Sequence, residues 1–250
     1  MKGERVRGCR VFFLIILLLS IFLTISYATL DGIYHRVRAG DTLWGISRTY
    51  RVSIDEIRRA NRELADTNVI KVGQRIFIPG AERVLAIEPL SRQMREILRR
   101  GWSPRWDYIV VHHSATNAGN ARVFERNHRA RGYRALGYHF VIGNGTYGTD
   151  DGEIEVGFRW LRQWDGAHTK GNVNKVGIGI CLVGNFEESA PSKKQMESLT
   201  RLTTHLAYRY DIPLENIKGH KDFVNNTTKC PGKNFPWDSF RKLLRERGIR

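Results

Sequence analysis

The stretch Gly219–Gly232, GHKDFVNNTTKCPG, places a histidine, His220, and a cysteine, Cys230, on a segment otherwise rich in Gly, Asn, Thr and Pro. That composition marks a loop. Imidazole and thiolate are ligands that zinc favours, and a loop of this length can bring both onto one ion. Two ligands do not complete a site. Candidates for the third lie far upstream, in DYIVVHHSAT, where the run Ile109-Val110-Val111 ends on His112 and His113. Neighbouring residues on a strand face opposite sides of a sheet, so only one of the two can face a given pocket. A histidine on the opposite face reads as structural. No HExxH pattern occurs, so no carboxylate base is evident.

These residues need a scaffold, and from Trp106 onward the chain alternates strand and helix patterns. Asp107–His112 predicts a strand, Ala121–Arg131 a helix and Leu136–Ile142 a strand. Gly177–Val183, GIGICLV, is almost continuously apolar, as a buried central strand should be. Pro191-Ser192-Lys193-Lys194-Gln195 opens a long helix with a capping box. Its stripe of Met196, Leu199, Leu202, Leu206 and Tyr210 predicts core packing. Pro236–Arg247 predicts a last helix. Strands interleaved with helices argue for an α/β fold, a central mixed β-sheet flanked by helices. Gly143–Gly148 spells GxGxxG after a strand, but no helix follows, so it reads as a hairpin turn and not a nucleotide site.

Ahead of this region, residues 34–80 read as a smaller βααβ unit. A strand at Tyr34–Val37 meets the turn Ala39-Gly40-Asp41, and Leu43, Ile46 and Tyr50 follow at helical spacing. Ser53-Ile54-Asp55-Glu56 is a capping box, and Ile76 and Ile78 mark a closing strand. So small a core suits binding better than chemistry. Residues 81–105 form a linker, with a helix around Ser91–Arg100 that reads as a solvated spacer.

The net charge is +16 over 250 residues, spread along the chain and not gathered in one tail. Such a balance fits an anionic surface such as an envelope or membrane. Nucleic acid is the rival partner, but no basic–aromatic interleaving or recognition helix supports it. Met1–Arg10 is basic and Val11–Tyr27 almost wholly apolar. Residues 1–30 therefore read as a signal peptide, with cleavage after Ala28, or as a hydrophobic helix serving as membrane anchor. Either way, the remainder is exported to the cell envelope. Of the three cysteines, Cys9 precedes the apolar run. A Cys181–Cys230 disulfide is the alternative to a Cys230 metal ligand.

GDTLWGIS, VSIDEIRRAN and VGQRIFIPG together resemble a LysM domain across the whole small unit. That resemblance implies binding to N-acetylglucosamine-containing glycans, above all peptidoglycan. VVHHSAT, LGYHFVI, GAHTKGNVNKVGIGICLVGNF and GHKDFVNNTTKCPG, in that order, resemble the zinc-dependent type-2 N-acetylmuramoyl-L-alanine amidases. This family includes phage T7 lysozyme and the peptidoglycan recognition proteins. The resemblance spans roughly Trp106 to Phe240. It implies that His112, His220 and Cys230 ligate zinc and that Tyr138 and Thr228 take part in catalysis. It also implies substrate contact for His168, for which a plain surface-loop histidine is the alternative. Neither His113 nor His139 is needed as a ligand. A glutamate that other members use has no identifiable counterpart in this sequence. Asp222 reads either as an acceptor supporting His220 or as a turn cap.

Two imidazoles and a thiolate around zinc leave a net charge of about +1 and an open fourth position, where the pKa of water falls toward about 7. Tyr138 would orient the water or support the tetrahedral intermediate by its hydroxyl, and Thr228 would hydrogen-bond the developing oxyanion. The expected protein is a monomeric peptidoglycan hydrolase with a LysM domain at 34–80 and a zinc amidase domain at 106–250. It would cut the amide between N-acetylmuramic acid and L-alanine. The alternative is a non-catalytic peptidoglycan-binding or sensing protein on the same fold.

Overall fold

The computed structural model describes residues 32–81, 91, 94, 96–98, 103, 105–223 and 227–250. The apolar N-terminal segment, signal peptide or anchor, lies outside them. Among the described residues no helix is long and apolar enough to cross a membrane.

Five strands build the principal sheet: β3 (Tyr108–His113), β4 (Phe140–Asn144), β5 (Asp151–Val156), β6 (Gly177–Leu182) and β7 (Ile217–Gly219). Their order is β5-β4-β6-β3-β7. β3, β4, β6 and β7 run parallel, and β5 is antiparallel to β4. The sheet is therefore mixed, with β6 fully buried near its middle, as the run GIGICL requires. β5 and β7 fall outside the pattern expected from sequence. β5 is an edge strand reading DGEIEV, and its charges protect the edge while hiding the apolar signal. β7 is only three residues long. β4 begins at Phe140, later than the expected Leu136, because the backbone before it is tied to loops. Gly137 O accepts from Ala167 N, and His139 O accepts from Gly157 N. The GxGxxG stretch is the turn between β4 and β5.

Alternation along the strands sorts the core into two faces. Ile109, Val111, Phe140, Ile142, Ile178, Ile180 and Leu182 join Leu199, Leu202, Leu206, Phe240 and Leu244 in one cluster. The last five come from two helices, α6 (Lys193–Tyr210) and α7 (Trp237–Glu246). Val141, Cys181 and Val183 on the other face meet Phe124, which belongs to helix α3 (Ala121–Ala130). Two single-turn helices, α4 (Phe158–Leu161) and α5 (Val173–Val176), precede β6. Helix α6 starts on the expected capping box, with Ser192 Oγ accepting from Gln195 N at 3.0 Å.

In the small unit, β1 (Gly32–Arg36) and β2 (Arg75–Pro79) pair antiparallel around α1 (Leu43–Tyr50) and α2 (Ile54–Ala60). Ile33, Leu43, Ile46, Ile57, Ile76 and Ile78 form its own core. The Ser53–Glu56 capping box is complete. This unit packs against the larger one. Tyr34 and Phe77 belong to the principal core, and Tyr34 stacks on Tyr210 with ring centroids 6.3 Å apart. Arg75 Nη2 donates to Trp106 O and Asp107 Oδ1, both at 2.9 Å, and Arg36 N donates to Asp211 Oδ2 at 2.6 Å. The intervening helix is not a solvated spacer. Leu98 is buried, Met94 and Ile97 pack on the core, and Trp160 Nε1 donates to Ile97 O. Its arginine-rich sequence conceals that the apolar residues share one covered side.

Truncating Leu202 to Ala should lower unfolding free energy by about 2–5 kcal/mol through lost burial and the cavity left behind. Ser192→Ala should cost about 1 kcal/mol through loss of the cap. Urea unfolding followed by circular dichroism checks both values and their order.

Candidate metal centre

The register of the sheet brings distant residues together. Val111 on β3 is aligned with Gly219 on β7, so the next residues, His112 and His220, emerge side by side. Their ring centroids are 4.7 Å apart. Parallel strands present their carboxyl ends as a crevice, the usual place for a ligand in such sheets. The Cys230 loop closes over this edge. Lys221 N donates to Cys230 O at 2.9 Å, which ties it to the His220 turn, and His113 N donates to Cys230 Sγ at 3.3 Å. His112 Nδ1 lies 3.6 Å from Cys230 Sγ. One ligand atom from each of His112, His220 and Cys230 lies within 4.8 Å of the others.

This donor set fits zinc. A tetrahedral ion with Zn–N near 2.0 Å and Zn–S near 2.3 Å separates those two ligand atoms by about 3.5 Å, close to the observed spacing. Burial, reinforced by His168 and His220, holds the His112 imidazole well below its ordinary pKa, so it is a neutral ligand. Burial pushes the Cys230 thiol up to about 12, against the opposing effect of the His113 backbone N–H. A dication displaces such a proton, because the coordinated form of a thiol is the thiolate. Cys181 and Cys230 are both free, so the disulfide alternative does not hold.

His112 points to the α3 side of the sheet, and His113 points the other way. The His113 ring accepts from Phe186 N at 3.1 Å, a structural role. His139 is fully buried and also structural, with Nδ1 accepting from Gly179 N and Nε2 facing Trp164 O. Tyr138 packs beside His112 with centroids 5.1 Å apart. It packs against the cluster that contains Cys181, and burial raises its phenol well above its usual pKa. Cys181 thus shares a cluster with the residue beside the centre, a placement that its apolar run did not reveal. Thr228 Oγ1 accepts from Cys230 N at 3.1 Å. Asp222 is a turn cap, its Oδ2 accepting from Gly219 N at 2.8 Å.

His168 is not the plain surface-loop residue of the alternative reading. It is buried, with Nδ1 3.0 Å from His112 Nε2 and Nε2 3.2 Å from Gly177 O. Both ring nitrogens thus have protein partners. Asn174, missed in the sequence, anchors this loop: its Oδ1 accepts from His168 N and Thr169 N. In the small unit the most exposed large apolar side chains are Trp44, Val69 and Val72.

Two histidines at the carboxyl ends of parallel strands and a cysteine from the loop above them mark an α/β protein with a candidate metal site and an additional small unit. The family model for N-acetylmuramoyl-L-alanine amidase matches residues 102–233, and that for the LysM domain matches residues 35–79. The chain belongs to this amidase family. It is 34% identical over 112 residues to an endolysin of Klebsiella phage KP32, covering 41% of this chain and 67% of that protein. It is 29% identical over 151 residues to peptidoglycan recognition protein 1 of Bos indicus, covering 54% of this chain and 74% of that protein. Among solved structures, N-acetylmuramoyl-L-alanine amidase LysC from Clostridium intestinale URNW is 34% identical, with a TM-score of 0.49 over 57% of this chain and 89% of that one. The chain is accordingly a peptidoglycan hydrolase or peptidoglycan-binding protein.

His139, pushed down to about 3 by burial, should make stability pH-dependent. The unfolded chain takes up this proton near pH 6.5 and the folded one does not. The stabilisation is therefore complete above about pH 6.5 and is lost as pH falls toward about 3, on the order of 5 kcal/mol at most. His112, His113, His128 and His168 are shifted in the same direction and add to it. Urea midpoints should fall with pH across this window, while NMR titration shows the His139 ring still neutral at about pH 5.

Proposed function

We propose that the protein is a zinc-dependent N-acetylmuramoyl-L-alanine amidase, exported to the cell envelope by its N-terminal segment. The carrying observation is the convergence of His112, His220 and Cys230 on one point within a chain of the amidase family. Retention of all three supports hydrolysis over recognition alone. In this reading residues 106–250 cut the amide between N-acetylmuramic acid and L-alanine, residues 34–80 hold peptidoglycan glycan, and residues 81–105 join them. The exposed face of Trp44 suits stacking against a sugar ring.

When bound, zinc supplies Lewis acidity: it polarises a carbonyl and makes water nucleophilic near neutral pH. The chain's own residues do the rest. His112 and His220 present neutral imidazoles, and the His113 N–H steadies the Cys230 sulfur. Thr228 accepts the Cys230 N–H, so its own hydroxyl proton can be donated to the oxygen that gains charge in the transition state. Tyr138, set beside His112, orients the attacking water. Docking of the small unit on the larger one holds the glycan-binding surface in a set relation to the cleavage site, which raises local substrate concentration.

Cys230→Ser should abolish muropeptide cleavage in purified sacculi while sacculus pull-down persists. A chelator should do the same to the wild type, and added zinc should restore it. Cleavage indifferent to chelation would overturn the zinc reading. Tyr138→Phe should lower kcat by about 10²–10³-fold with the metal retained.

A further inference from the structure

Among the described residues, His168 is a buried polar group against the candidate metal centre that the proposed mechanism leaves without a task. Its ring lies in a slot cut by glycines. A Cβ at Gly179 would sit 2.4 Å from His168 Cδ2, and one at Gly166 would sit 2.4 Å from His168 Nε2. Any side chain at either position would displace the ring. The backbone of the His168 loop is anchored as well, by Asn174 and by the Ala167–Gly137 hydrogen bond. So the ring is held in both place and orientation.

The direction of its hydrogen bonds follows from the end of the chain of groups. Gly177 O is a carbonyl and can only accept, so His168 Nε2 carries the hydrogen across the 3.2 Å contact. In a neutral imidazole the other nitrogen is then an acceptor. His168 Nδ1 faces His112 Nε2 at 3.0 Å, so the hydrogen between them belongs to His112 Nε2. That leaves the lone pair on His112 Nδ1, the atom that faces Cys230 Sγ. A backbone carbonyl on β6 thus sets, through two rings, which nitrogen of His112 is available to a cation. Metal-binding histidines commonly rely on such an outer partner for tautomer and ring orientation.

We propose that His168 is a positioning residue: by accepting from His112 Nε2 it holds His112 in the tautomer whose Nδ1 can ligate the metal. This rests on the zinc reading for its consequence, but the tautomer itself is a property of the metal-free protein. Long-range ¹H–¹⁵N correlation spectra of the metal-free full chain should show His112 protonated at Nε2. Protonation at Nδ1 in the wild type would overturn the proposal whether or not zinc binds. His168→Ala should weaken affinity for zinc ions by about 10–100-fold, measured by competition with a chromophoric chelator. It should also alter the visible spectrum of the cobalt-substituted protein. His168→Asn, whose Oδ1 can accept from His112, should recover part of both. A folded alanine variant with unchanged His112 tautomer and zinc affinity within about twofold of wild type would sink the proposal. If the alanine variant fails to fold, the asparagine variant and the wild-type tautomer decide. A wild type that binds neither zinc nor cobalt ions would instead refute the zinc reading.

Discussion

The parallel pairing of β3 with β7 is the constraint on which the rest depends. β7 has only three residues, yet its register sets Gly219 beside Val111 and so delivers His220 next to His112. Slippage by one residue would turn a histidine to the opposite face, because side chains alternate along a strand. Two features hold the register. Ile217 is fully buried in the principal core, and Asp222 caps the turn that follows at Gly219 N. The hydrogen bond from Lys221 N to Cys230 O then carries the same alignment to the third candidate ligand. A chain separation of more than a hundred residues collapses to a few ångströms through one short strand and one loop.

The electrostatics of the site follow from its depth. Burial disfavours charge on His112, His168 and Cys230, so those two imidazoles are held neutral and the thiol is held protonated. Buried, uncharged donors of this kind are poised for an external cation. Such a cation would be repaid by three well-placed donors without first breaking an ion pair. Around this cluster, His113 and His139, which do not point into the centre, each have a defined structural task. His113 receives the Phe186 N–H, and His139 bridges β6 to the Trp164 carbonyl. His112, His113, His139, His168 and His220 thus lie close together in the fold with different surroundings, which the sequence does not distinguish.

The small unit is more than an appendage on a string. Tyr34, Phe77 and Tyr210 share one aromatic cluster, and Arg36 and Arg75 reach Asp211 and Asp107 across the junction. Apolar contact supplies the attraction, while the hydrogen bonds set the angle at which the two units meet. In the proposed hydrolase, a set angle between the glycan-binding unit and the cleavage site determines which bonds come within reach.

Much of this was legible in the chain itself. The capping boxes at Ser53 and Ser192, the buried run at Gly177–Leu182 and the helical stripe of α6 are local patterns, and local physics produces them. His220, Cys230 and one histidine of the His112–His113 pair were legible as chemistry, since those residue types in loop and strand-end settings suit zinc; the family resemblance pointed to His112. What the tertiary structure alone decided were matters of direction and register. Which histidine of the pair faces the centre depends on sheet pairing. The role of His168 depends on two glycines and a carbonyl contributed by other segments. The packing of the 94–98 helix depends on a surface, supplied by Trp160 and the principal core, that no neighbouring residue announces. Sequence determines what each residue can do, because side-chain chemistry is intrinsic. Only the fold determines what each residue meets, because contacts between distant segments are set by global packing.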